Sequence, residues 1–194
     1  MRRWIMIPMA LVLAGTGSVV VPAAASATAP AVTTTTCPTG WGSLPKAATS
    51  TTGQHPLTNI RTGQHPCWDR MVIDIPGTSP SARVAYHVQY VPSLVQDGSG
   101  KTIPVGGGAI LEIVVVAPSY DPSTGAPVYP AKAGQALPGV NLSGYRTFKD
   151  AKFGGSFEGQ SQVGLGVRAR LPFRVFQLDN RLVIDVAHSW NATI

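Results

Sequence analysis

Arg70-Met71-Val72-Ile73-Asp74-Ile75 and Arg181-Leu182-Val183-Ile184-Asp185-Val186 are two copies of one pattern, identical at Arg, Val, Ile and Asp and apolar at the other positions. Side chains on a strand alternate between faces, so Met71, Ile73 and Ile75 share one face, as do Leu182, Ile184 and Val186. Arg, Val and Asp of each copy point the other way. Each copy is a strand with an apolar face and a second face that carries a cation and an anion. If the copies are antiparallel neighbours with Val72 opposite Val183, then Arg70 meets Asp185 and Asp74 meets Arg181, pairs that each contribute roughly 0.2–1 kcal/mol. The alternative is a pseudo-symmetric sandwich with one copy in each sheet.

Outward from these segments the period of two continues. Residues 57–62 read as a first strand and 68–75 as a second. In the third, Val84, Tyr86, Val88 and Tyr90 line one face while Arg83, His87 and Gln89 line the other. Asp97-Gly98-Ser99-Gly100 has the composition of a hairpin turn. Gly106-Gly107-Gly108 then leads into 109–117, the most apolar run beyond the N-terminal region, which reads as a buried central strand. Glu112 in its middle must be paired or face the wetter side. The last third holds strands at 163–171, 173–178 and 181–188, joined by Pro172 and Asp179-Asn180. No 3.6-residue period is evident beyond the N-terminal region, and the chain reads as an all-β, single-domain β-sandwich of eight or more strands.

Two stretches break the pattern. Residues 37–56 are loop-like, with Trp41 and Leu44 available to pin them to the domain. Residues 118–144 hold five prolines and four glycines in 27 residues, long for a structureless loop in a compact domain. They read as a Pro-stiffened surface excursion or as a ligand-facing loop, with Tyr120, Asp121 and Tyr129 as its notable side chains.

The N-terminus reads as an export signal. Met1-Arg2-Arg3 is a cationic start, an apolar stretch follows, and Ala25-Ser26-Ala27 supplies the small-residue cleavage site. A retained membrane anchor is the alternative. The expected organisation is a signal peptide over 1–27, an Ala/Pro/Thr-rich tether over 28–36 with almost nothing to bury, the β domain over 37–190, and a tail over 191–194. Loss of Arg2 and Arg3 lowers the formal charge from +6 to +4. That balance suits acidic polymers, lipids or proteins. An exported chain without a basic run excludes nucleic acid as a partner, and no stable membrane insertion is expected after cleavage. Outside the cytosol the only two cysteines, Cys37 and Cys67, read as a disulfide. The competing reading, zinc held with His55 and His65, lacks metal-ligand spacing.

No G-x-S-x-G, H-E-x-x-H or P-loop is present, and the nine acidic residues are scattered. Asp185 and His188 fall on opposite faces of a regular strand. The reading therefore expects no catalysis, no cofactor and no metal. The best binding candidate is 163–171, where Gly164, Gly166, Arg168 and Arg170 alternate with an apolar face. Bare glycines admit a ligand to the backbone, and guanidinium forks match carboxylates and phosphates. Phe157, Glu158 and Gln160 would add an aromatic platform and hydrogen-bonding groups. A solvated outer face with packing glycines is the competing account.

Cys37-Pro38-Thr39-Gly40-Trp41-Gly42-Ser43, the segment 60–75 with its Cys67-Trp68-Asp69-Arg70 entry to a strand, Phe153-Gly154-Gly155-Ser156-Phe157-Glu158-Gly159-Gln160, the segment 163–176 and Asp185-Val186-Ala187-His188-Ser189-Trp190 together resemble the AMIN-like domain family of secreted actinobacterial proteins. The resemblance covers 37–190. The wider AMIN group implies an all-β sandwich in cell-envelope proteins, including periplasmic amidases and secretins, that binds peptidoglycan and directs localisation. This chain is expected to act without an appended amidase or secretin domain. The resulting expectation is a secreted, non-catalytic cell-envelope protein that binds peptidoglycan or another wall polymer through Phe157, Glu158, Gln160, Arg168 and Arg170. The alternative is an inhibitor or interaction module acting through 118–144.

Overall fold

The computed structural model describes Cys37 and residues 40–190, none of them helical. The expected signal peptide, tether and tail lie outside those residues. Eleven strands are present: β1 (Lys46–Ala48), β2 (Asn59–Gln64), β3 (Trp68–Asp74), β4 (Tyr86–Val91), β5 (Leu94–Val95), β6 (Thr102–Ile103), β7 (Ala109–Val115), β8 (Phe148–Phe157), β9 (Gln160–Val167), β10 (Phe173–Leu178) and β11 (Arg181–Ala187). They form a five-stranded sheet in the order β1-β4-β7-β9-β8, a four-stranded sheet in the order β10-β11-β3-β2, and the small β5-β6 ribbon. Every pairing is antiparallel.

The core lies between the two larger sheets. Met71 and Ile73 of β3 and Leu182, Ile184 and Val186 of β11 join Leu111, Ile113 and Val115 of β7 and Val163, Leu165 and Val167 of β9 in one buried cluster. Each such side chain contributes about 1.5–3 kcal/mol on leaving water. The two repeat copies are adjacent strands of one sheet, with Val183 opposite Val72, Asp185 opposite Arg70 and Arg181 opposite Asp74. The same-sheet reading holds, and one copy per sheet does not.

Strand bounds differ from the sequence reading where tertiary partners decide them. The first strand is shifted to Asn59–Gln64. β9 leaves the ladder after Val167, short of Leu171, because both neighbours stop there: Val167 pairs with Ala109 on one side and Phe148 on the other. β8 escaped the period-two reading because of register shifts between Phe148 and Asp150 and between Phe153 and Gly155. The first bulge lets Phe148, Ala151 and Phe153 all turn inward at uneven spacing. β1 lies in the stretch read as loop. Trp41 does dock on the domain, but Leu44 does not, being 72% exposed. Cys37 and Cys67 form the expected disulfide. Residues 118–144 are more than a surface excursion: Tyr129 and Leu137 are buried in the core, and bridges tie Tyr120 to Pro127 and Ala136 to Lys152. Glu112 is paired as expected, accepting hydrogen bonds from Gln89 (3.2 Å) and Gln162 (2.9 Å).

Candidate functional site on the outer face of the four-stranded sheet

The glycine-arginine face proposed from sequence does not exist as an open surface. Gly164 and Gly166 point away from the core, but residues 94–106 fold back across them. A β-carbon on Gly164 would lie 2.4 Å from Leu94 Cδ2, and one on Gly166 would lie 1.8 Å from the Gly106 carbonyl oxygen. The Asp150 carboxylate pins this covering segment by accepting the Gly106 N–H at 2.8 Å. These glycines serve the close approach of the chain's own backbone.

The five residues proposed for the ligand are not gathered into one site. Phe157, Glu158 and Gln160 lie at the β8-β9 hairpin, and Arg168 and Arg170 lie beyond the opposite end of β9, roughly 25 Å away at strand rise. Glu158 and Gly159 both have positive φ, 49° and 80°, the backbone of a two-residue primed turn. Phe157 is 49% exposed and rests against the Gly98 turn. Arg168 donates to the His188 carbonyl. Arg170 lies over the Tyr90 ring at 5.2 Å, bonds Ser43, and borders an open cleft of about 470 Å³ with Tyr90, Val105 and Ile110.

The outward side of the four-stranded sheet is different. Alternation places Arg61 and Gly63 of β2, Arg70, Val72 and Asp74 of β3, Arg181, Val183 and Asp185 of β11, and Arg174 and Phe176 of β10 on it. Asp185 is fully buried at the centre. It accepts Arg70 Nε at 2.6 Å and Nη2 at 2.9 Å, and Arg174 Nε at 2.8 Å. This hydrogen bonding raises the already high pKa of Arg70. The Arg174 guanidinium lies 4.4 Å from the Trp41 ring centre, 4.9 Å from Phe176 and 5.2 Å from Trp68. Trp41 meets Trp68 edge-on at 5.7 Å, and His65 stacks on Trp68 at 5.0 Å. The Cys37–Cys67 bond brings the segment bearing Trp41 to this place, because Cys67 immediately precedes Trp68.

Asp74 is held by Arg61 through Nε at 3.0 Å and Nη2 at 3.1 Å, and not by Arg181, which reaches only the Asp179 carbonyl. Of the two charge pairs that the register allows, one forms. The face therefore carries four guanidinium groups against two carboxylates. A cleft of about 220 Å³ opens in it, lined by Arg61, Arg70 and Arg181 with Val72, Val183 and Leu178 among its walls. The outward Arg-x-Val-x-Asp side was legible in the sequence. Arg61, Arg174, Phe176, Trp41 and Trp68 were missed as its company. The alternation of Arg174 and Phe176 on one strand was the available signal.

A second polar cluster closes one end of the sandwich. His188 contacts the Pro66 carbonyl through Nδ1 at 3.1 Å and Asp69 Oδ1 through Nε2 at 3.0 Å. Asp69 Oδ2 accepts the Thr147 and Phe148 N–H groups at 2.6 and 3.0 Å. The pair thus ties the Pro66 turn and the chain entering β8 to β3. Among the described residues no three His, Cys, Asp or Glu side chains are grouped to hold a metal ion.

A family model described as the AMIN-like domain matches residues 55–188, well over half of the chain. No curated protein and no solved structure matches the chain significantly.

Proposed function

The chain belongs to the AMIN-like domain family, and on that premise we propose that it is a non-catalytic, extracytoplasmic module that binds peptidoglycan through the outer face of the four-stranded sheet. The observation that carries this reading is the open array in which Arg174 lies among Trp41, Trp68 and Phe176, with Arg61, Arg70 and Arg181 beside it. Indole and phenyl faces offer apolar platforms for sugar C–H surfaces. Guanidinium groups pair with carboxylates such as those of stem peptides. The disulfide supports an oxidising compartment. Exposed ion pairs are individually weak and screened within about 8–10 Å at ordinary salt, so affinity per site is modest and retention grows when several copies engage one polymer.

The test is retention of the protein on purified sacculi across a salt series. Wild type is retained and released as salt rises, the Arg61→Ala/Arg181→Ala double variant is retained several-fold less, and the Arg168→Ala/Arg170→Ala variant behaves as wild type. Absence of retention at any salt overturns the reading and favours a protein partner. Loss confined to the Arg168/Arg170 variant moves the site to the other end of the domain.

A further inference from the structure

We propose that the cleft at Gly63 is a phosphate-selective subsite, which takes a tetrahedral oxyanion such as the phosphodiester of an anionic polymer or lipid headgroup. The inference deepens the binding reading above and rests on the same face being a ligand surface. Two observations carry it.

The first is Gly63 itself. It lies on β2 directly opposite Arg70 and two residues from Arg61, on the same outward side. Its φ is not positive, so its backbone conformation is open to any residue. A β-carbon there would meet nothing within 4 Å, so packing does not require a glycine either. A glycine inside a strand loses conformational entropy and side-chain packing. The bare position leaves a notch beside Arg70, floored by the facing pair Val72 and Val183.

The second is the supply of spare donors on the arginines that line the cleft. Arg61 and Arg70 each use Nε and Nη2 to hold the plane of a carboxylate of the protein, which leaves Nη1 of each. Arg181 keeps both terminal nitrogens, since only its Nε bonds the Asp179 carbonyl. Donors thus come from three strands, through Nη1 of Arg61 and of Arg70 and through the terminal pair of Arg181. A planar carboxylate is matched best by one intact fork. Oxygens spread tetrahedrally around phosphorus can be met singly from several sides. The charge excess of the face and its apolar floor, where water screens less, both favour an anion.

The experiment measures binding of the exported chain to inorganic phosphate, to a soluble glycerophosphodiester oligomer and to acetate at fixed ionic strength, with wild type, Gly63→Val and Arg181→Gln. Wild type should bind phosphate and the diester at least tenfold more tightly than acetate. Gly63→Val should lose at least tenfold of that binding while its thermal midpoint is unchanged or raised, because a β-branched residue suits the strand. Arg181→Gln should lose a comparable factor. Acetate binding equal to phosphate, or full phosphate binding by Gly63→Val, overturns the proposal. Phosphatidylglycerol vesicles and phosphodiester-bearing sacculi separate the two sources, and binding to either supports the shared chemistry. Sacculi stripped of phosphodiester polymers separate this inference from the function it rests on. Undiminished retention on stripped sacculi, with no binding of free phosphate, sinks the subsite and spares the wall-binding reading. Phosphate binding without retention on any sacculus does the reverse.

Discussion

The two outer faces of the sandwich start from the same alternation and end in different states. On the five-stranded sheet, the outward positions in the second half of β9 are Gly164 and Gly166, and the chain lays residues 94–106 across them until backbone touches backbone. On the four-stranded sheet, the outward positions are arginines and aromatic rings arranged around one buried carboxylate, and no segment crosses Gly63. Glycine on a strand face thus has two meanings in one molecule. At Gly166 it admits the protein's own chain, and at Gly63 it leaves room that the protein does not fill.

This contrast can be broken most forcefully at Gly166. Gly166→Ala places a β-carbon on the Gly106 carbonyl, and a backbone clash has no rotamer escape. The expected loss is about 3 kcal/mol, read from urea unfolding. A loss below about 1 kcal/mol would mean that the covering segment lifts easily and that the two faces differ less than they look. Next comes Asp185→Asn, which leaves Arg70 and Arg174 around a neutral amide. Both arginines keep contact with water, so the cost should be about 2 kcal/mol, below the range for a fully buried pair, and the tryptophan emission of Trp41 and Trp68 should shift with it.

A smaller effect is expected at Tyr129, the side chain by which the 118–144 segment enters the core. Its hydroxyl is buried without a partner, so Tyr129→Phe should be neutral or stabilise by up to about 1 kcal/mol. Burial pushes this hydroxyl up to about 12 from its ordinary value of 10.0. The folded state therefore holds the proton more tightly, and the associated stability is complete below pH 10 and lost as pH rises through about 12. The variant should unfold less steeply in alkali. Burial likewise pushes Tyr90 up to about 12, so a sensitivity of that kind remains. An unchanged alkaline profile would mean that Tyr129 is reached by solvent in the folded protein. The smallest change in stability belongs to Gly63→Val, within about 0.5 kcal/mol of wild type. A large loss there would show that Gly63 is structural after all.

How far the sequence could be read follows from the same contrast. The sandwich, the one-sided character of the two Arg-x-Val-x-Asp strands and the disulfide were legible, because alternation and an isolated cysteine pair are local signals, whereas the pairing of those strands was one of two arrangements that alternation allows. The glycine side of β9 read as open because alternation tells which side chains share a face but not what lies over them. Nothing near Gly164 in sequence announces that Leu94 will cover it. The bulge after Phe148 hid β8 for a related reason, since one extra residue resets the period that identifies a strand. Arg174 and Trp41 were missed because their meeting depends on contacts made far along the chain.

The link between Cys37 and Cys67 has a consequence for when the molecule becomes competent. It joins two points on either side of Trp41, and Trp41 is one of the three rings around Arg174. On its C-terminal side Trp41 is tied by the Gly42 carbonyl, which accepts the Phe173 N–H, and on its N-terminal side by this bond. Oxidation is thus the step that fixes the second flank of Trp41 beside Arg174.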